Sequence, residues 1–174
     1  MLNKSKKNLA TETNLYNNIL SLSRNKLFYT KFNLTDAFQN RIHLIFIHIS
    51  FLFVKIKNNS KNENYKIFYQ NMFDLIFSKI EINMREIGYG DVVINKNMKG
   101  LVTNFYNILI SCENYKDKNI KSKIIFFESY LDKNINKNAT NYNNLITYFD
   151  KYEAFCFDLS WDSVLKGEIN FNYE

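Results

Sequence analysis

A chain of 174 residues with no proline and only four glycines has few places where it can bend sharply. Proline breaks helices and glycine weakens them, so their scarcity leaves long segments free to stay helical. Three of the four glycines crowd into one stretch, MREIGYGDVVINKNMKG, from Met84 to Gly100. Gly88 and Gly90 stand there between two segments with helical spacing. A helix ending at Ile87 leaves carbonyls unpartnered, and Gly88 can close them in the left-handed conformation without a steric penalty. Gly90 allows a second tight bend, and Asp91 can accept backbone donors at the start of the next helix. GYGD is therefore expected to be a compact reversal, with Gly88 and Gly90 as its structural turn. Tyr89 is then either a plug under the turn or an exposed contact.

Apolar residues recur at helical spacing through most of the rest. Leu15, Ile19 and Leu22 mark a first helix ending near Lys26, behind a polar, basic tail over residues 1–13 that is expected to be flexible. Asp36 and Gln39 resemble a capping box ahead of a long second helix through Lys57, whose β-branched and aromatic content also suits a strand, although its length, the cap and the lack of alternation favour the helix. That helix contains IHLIFIHISFLFV, thirteen residues from Ile42 to Val54. A membrane-spanning helix needs about 20 apolar residues, so a buried helix is expected, with a membrane-touching helix as the alternative. After a polar loop at 57–64, Tyr65, Tyr69, Met72, Ile76, Ile80 and Ile87 mark a third helix. Ile94, Met98, Leu101, Val102, Phe105 and Leu109 mark a fourth. Gly100 inside it costs about 1 kcal/mol relative to alanine, which close helix–helix approach would explain. A fifth helix runs from Ile120 to Ile135. A sixth, capped by Thr140 or Asn141, carries Leu145, Phe149, Tyr152 and Cys156. A last short helix stops at Gly167. The pattern predicts an all-α fold: a single helical domain of six or seven helices over residues 14–174.

The net charge of +6 is uneven: residues 1–149 carry 21 basic and 11 acidic side chains, residues 150–174 carry 2 and 6. A basic body suits an anionic partner such as RNA, an acidic protein face or anionic lipid, and it also suits a plain solubility surface. Cys112 and Cys156 lie far apart at helix-periodic apolar positions, so buried thiols in a reducing compartment are expected. His43 and His48 point about 140° apart on a helix and cannot share a metal on one face. GYG lacks the preceding strand and third glycine of a dinucleotide-binding loop. Glu81, Glu86 and Asp91 have no histidine or cysteine beside them, so they read as solvated charges. No cofactor, metal or catalytic group is expected.

Four stretches, in order, resemble the ubiquinol–cytochrome c chaperone family, assembly factors for cytochrome b of the respiratory bc1 complex. LYNNILSLSRNKLFYTKFNL (15–34) resembles the family's opening LY…A…FY segment, and NRIHLIFIHISFLF (40–53) its arginine followed by an apolar helix with one histidine. FDLIFSKIEINMREIGYGDVVINKNMKGLVTNFY (73–106) is similar to FD..F.D.D..LRE.G.GD..V.K..K....AFY. LKGEINF (165–171) resembles a closing L..G.I.F. The matched positions are Arg41, His48, Phe73, Asp74, Arg85, Glu86, Gly88, Gly90, Asp91, Lys96, Lys99, Phe105 and Tyr106. Asn107 and Ile108 replace a common Gly-Arg pair, Asn172 stands where a proline is common, and Cys112–Asn143 matches loosely.

The resemblance implies a non-catalytic chaperone that holds newly made cytochrome b. It makes Arg41, His48, Arg85, Glu86, Tyr89, Asp91, Lys96, Lys99, Phe105 and Tyr106 candidates for client or partner contact. Mitochondrial members of the family work near the ribosomal tunnel exit with a small helical partner protein, which the resemblance extends to this chain as an expectation, and the basic body suits peripheral contact with an anionic membrane. With no presequence evident, the expected location is the bacterial cytoplasm at the inner membrane, or the mitochondrial matrix if the source is eukaryotic. Two other classes stay open from the residues: a ribosome- or nucleic-acid-associated basic helical protein, and a haem- or quinone-handling enzyme with His48 as ligand.

Overall fold

Every residue from Ile42 to Val54 is buried, and the rest of the architecture follows from covering that segment on all sides. The structure is a computed structural model that describes residues 2–59, 64–131 and 142–173. Helices α1 (Leu2–Ser23), α2 (Leu27–Thr30), α3 (Phe38–Asn59), α4 (Asn64–Glu86), α5 (Asp91–Glu113), α6 (Ile120–Tyr130), α7 (Tyr142–Asp158) and α8 (Trp161–Lys166) follow in order. No strand occurs among the described residues. Six helices are long, α8 is short, and α2 is a single turn. The fold class is therefore the expected all-α one.

Helix α3 is the axis, packed against α1, α4, α5 and α7. Helix α6 lies on α7, and α8 lies on α1. A helix that is apolar all round belongs inside a bundle or a membrane, and here neighbouring helices supply the apolar surroundings. No helix among the described residues is long and apolar enough to cross a membrane.

Several local expectations differ from what the structure shows. Helix α1 starts at Leu2, so the segment read as a tail is helical from that residue on. Glu12 within it is buried and accepts a hydrogen bond from Asn71 Nδ2 on α4 at 2.8 Å. The Asp36 carboxylate does not cap α3. It is gripped by Arg41 Nε and Nη2 at 2.6 and 2.7 Å, a five-residue reach that outcompetes a backbone cap through charge. Helix α6 ends at Tyr130, and Ile135, Thr140 and Asn141 lie outside the described residues. Gly100 makes no close helix contact, because a Cβ built there meets nothing within 4 Å. Gly100→Ala should therefore raise stability by roughly 0.5–1 kcal/mol, seen as a higher thermal midpoint. An unchanged or lower midpoint would mean that α5 needs the glycine for a reason outside its backbone.

The C-terminus shows where a glycine is required. Gly167 closes α8 at φ 70°, and its added Cβ would stand 2.7 Å from the backbone nitrogen of Leu15. Asn14 and Asn18 of α1 donate to the carbonyls of Lys166 and Gly167 at 3.1 and 2.5 Å. Those bonds satisfy carbonyls that the helix end leaves free, and they fix α8 on α1.

Candidate functional site

The corner between α4 and α5 is built as a Schellman motif. Gly88 takes φ 98°, Tyr89 N donates to Met84 O at 3.1 Å, and Gly88 N donates to Arg85 O at 3.0 Å. Gly88 thus acts as expected. Gly90 does not make a second tight bend: its backbone is extended (φ −75°, ψ 156°) and it is the N-cap of α5. Asp91 also departs from expectation. Its carboxylate is bound by Arg85 Nη1 at 2.5 Å instead of by backbone donors. Arg85 reaches Glu81 as well, at 2.9 Å. These contacts, Glu81 first, raise the guanidinium above its ordinary pKa. All three side chains are exposed, so the clamp sets the geometry of the corner more than its stability.

Beside this corner lie two clefts separated by Phe38 and Ile42 at the start of α3. One, of about 190 Å³, is lined by Tyr16, Leu20, Ser23 and Arg24 of the α1 end, by Arg41 and Ile45, and by Ile80, Asn83, Glu86 and Ile87 of α4 and the corner. The other, of about 370 Å³, is lined by Gln39, Met84, Tyr89 and, from α5, Lys96, Asn97, Gly100, Leu101 and Asn104. Phe38 and Ile42 line both. The floor is largely apolar, and the rim carries both charge signs. Asn104 is held from behind. His43 Nδ1–H donates to Tyr130 O at 2.5 Å, which leaves Nε2 to accept from Asn104 Nδ2 at 3.2 Å.

Of the residues expected at a partner surface, Arg41, Glu86, Tyr89 and Lys96 line these clefts. Arg85 and Asp91 hold the corner between them. Lys99 and Tyr106 are exposed further along α5. Two expectations fail on burial. His48 and Phe105 are wholly buried and touch no surface that a partner could reach. His48 Nδ1–H donates to Leu44 O at 2.7 Å, and its Nε2 accepts from Tyr148 Oη at 2.9 Å. Burial pushes its pKa down to about 4, so it is neutral in the core. Both thiols, Cys112 and Cys156, are free and buried, and burial pushes their pKa values up. Among the described residues no three of His, Cys, Asp and Glu come together as a metal site.

Sequence reasoning missed Phe38, Ile42, Tyr16 and Leu20 as cleft residues. Their spacing is that of core positions, and only the way α1, α3 and α4 end together at one pole leaves them lining an opening.

Fold and clefts define an all-α protein with two partly apolar clefts under a charged rim. Residues 30–171 match the family model described as ubiquinol-cytochrome C chaperone, and the chain belongs to that family. The fold is similar to the crystal structure of the Cbp3 homolog from Brucella abortus, with a TM-score of 0.82 over 98% of this chain and 93% of that one, at 21% sequence identity. A search of curated proteins finds no match.

Proposed function

We propose that this chain is a non-catalytic assembly chaperone that binds newly made cytochrome b and so supports assembly of the ubiquinol–cytochrome c reductase, or bc1, complex. The family match across residues 30–171 carries this reading. The clefts support it physically. The client is an apolar membrane protein, and its helices need shielding until they are packed. Phe38, Ile42, Met84 and Leu101 offer an apolar floor for one face of such a helix. Arg41, Glu86 and Lys96 on the rim set orientation through charge, and the Arg85 clamp keeps the corner in register. Lys99 and Tyr106 extend the contact along α5.

Deleting the gene in the source organism tests this. Assembled bc1 complex and the absorbance of cytochrome b are expected to fall together, and a wild-type copy to restore both. A copy with Tyr89→Asp and Lys96→Glu should fail to restore them while its far-UV helicity and thermal midpoint match wild type. Unchanged bc1 content and cytochrome b after deletion would overturn the function. Full rescue by the double variant would move the client away from these clefts.

A further inference from the structure

The larger cleft has at its centre a residue that the folded chain does not need. Gly100 sits inside α5, where alanine would be the better helix former. Nothing stands within 4 Å of a Cβ built there, so no neighbour among the described residues requires the gap. From α5 this cleft of about 370 Å³ is lined by Lys96, Asn97, Gly100, Leu101 and Asn104, one helical face with the glycine at its middle. A gap in place of a side chain lets the backbone of a crossing helix come close. Polar groups stand on either side of it. Asn104, one turn on, gives Nδ2 to His43 Nε2, and its Oδ1 is left as an acceptor. Lys96, one turn back, is exposed and is the one charged side chain lining this cleft among the described residues. Glu81 and Asp91 are held by Arg85, Glu86 lines the other cleft, and no described carboxylate pairs with Lys96. A cation placed so matches the carbonyl end of a helix, which carries partial negative charge.

We propose that Gly100 selects which client helix this cleft takes. The helix runs antiparallel to α5 and sets a glycine, alanine or serine against Gly100. One turn earlier, a serine or threonine hydroxyl donates to Asn104 Oδ1. One turn later, the helix ends over Lys96, and its flanking apolar side chains meet Phe38, Ile42 and Met84. The proposal rests on the chaperone reading for the identity of the client, and it adds which of an apolar protein's helices are accepted. Membrane helices pack through small residues and hydroxyl groups, so the helices of one client differ in this face. A helix with leucine at the crossing is refused, because the branched side chain holds the two backbones apart.

Titrating the full chain against a dye-labelled synthetic helix in mild detergent, read by fluorescence anisotropy, tests this without the native client. The probe is a leucine-rich helix of about 20 residues with serine and glycine one turn apart on one face, the glycine one turn before its carboxyl end. Wild type should bind it. Leucine in place of the probe's glycine should weaken binding about tenfold or more, and alanine in place of its serine about fivefold, the worth of one hydrogen bond. On the protein side, Gly100→Ala should weaken binding about tenfold while raising the thermal midpoint, a pairing that damage to the fold would not produce. Gly100→Leu should abolish binding with far-UV helicity intact, and a Gly100→Leu copy should fail to restore bc1 assembly in the deletion strain. No binding of the probe by wild type, equal binding of the glycine and leucine probes, or undiminished binding by Gly100→Ala would each overturn the proposal. If gene deletion depletes cytochrome b and the Gly100→Leu copy restores it, the chaperone function stands and the selective seat falls. If deletion leaves cytochrome b unchanged while the probes are still told apart, the seat stands and the client is a different apolar protein.

Discussion

Phe105→Ala is expected to lower the unfolding free energy by about 3–5 kcal/mol, the usual cost of a cavity left by a buried aromatic ring. Phe105 is wholly buried on α5. Its ring meets Phe46 of α3 at 5.2 Å between centroids, Phe73 and Phe77 of α4 at 5.6 and 5.8 Å, and Tyr106 at 5.7 Å. Several of these pairs are edge-on, the arrangement that adds to simple area burial. Three helices converge on this one ring, so no single side chain can relax into the space. Domains of this size are stable by about 5–15 kcal/mol in all, so the variant should be marginal. Urea denaturation followed by far-UV circular dichroism measures the loss, and a value under about 1 kcal/mol would show that the site collapses freely. With the expected loss of about 3–5 kcal/mol, any failure of Phe105→Ala in assembly reflects the fold and not a lost contact. Tyr106, the next residue, is 42% exposed and is the one of the pair that can report on a partner.

This contrast shows what a sequence can and cannot specify here. Helical periodicity located α4, α5 and α7 because each must present an apolar stripe to its neighbours, and that stripe is a property of residue order alone, whereas α3, apolar all round, was legible as a helix only from its length and its lack of strand-like alternation. The Gly88 cap was legible for the same reason, since the demand for a left-handed residue after a helix end is local. The roles of Asp36 and Asp91 were not. Each had a local backbone partner that spacing made plausible, and in each case an arginine five or six residues away took the carboxylate. Which donor wins depends on where the arginine side chain lies, and periodicity does not encode that. Burial of His48 follows from the bundle around α3, and a motif match could not separate a residue kept for packing from one kept for contact. Gly100 was read as a close approach because helical glycines often are one, yet it opens onto a cleft. The tip of the α4–α5 hairpin, where Val92 is 83% and Val93 46% exposed, had a signal that was passed over. Val92 and Val93 fall off the apolar stripe of α5 that runs from Ile94 to Leu109, and large apolar residues off the stripe at a turn have nothing of their own chain to cover them.

Acidification should unfold the protein partly through His48. Its pKa is about 4 in the folded state, pushed down by burial, against an ordinary 6.5. For a base with a depressed folded pKa, the unfolded chain takes up a proton that the native state refuses. Stability from this group is therefore complete above about pH 6.5 and is lost as the pH falls toward 4, by about 3 kcal/mol in total. Glu12 and Glu153 work in the opposite sense. Burial raises both carboxyl pKa values, so these groups protonate more readily when folded and add stability as the pH falls. The raw pH profile mixes these effects, and a variant separates them. His48→Gln keeps a donor for Leu44 O and an acceptor for Tyr148 Oη but carries no titrating group. Between pH 7 and pH 4.5 wild type should lose about 2 kcal/mol more than the glutamine variant, measured as the difference in urea midpoints. Equal losses would mean that the imidazole is reached by water and charges without penalty, which would return His48 to the residues able to meet a partner. A larger loss in wild type keeps it where its two hydrogen bonds already hold it, as the polar pin between α3 and α7 in the middle of an aromatic core.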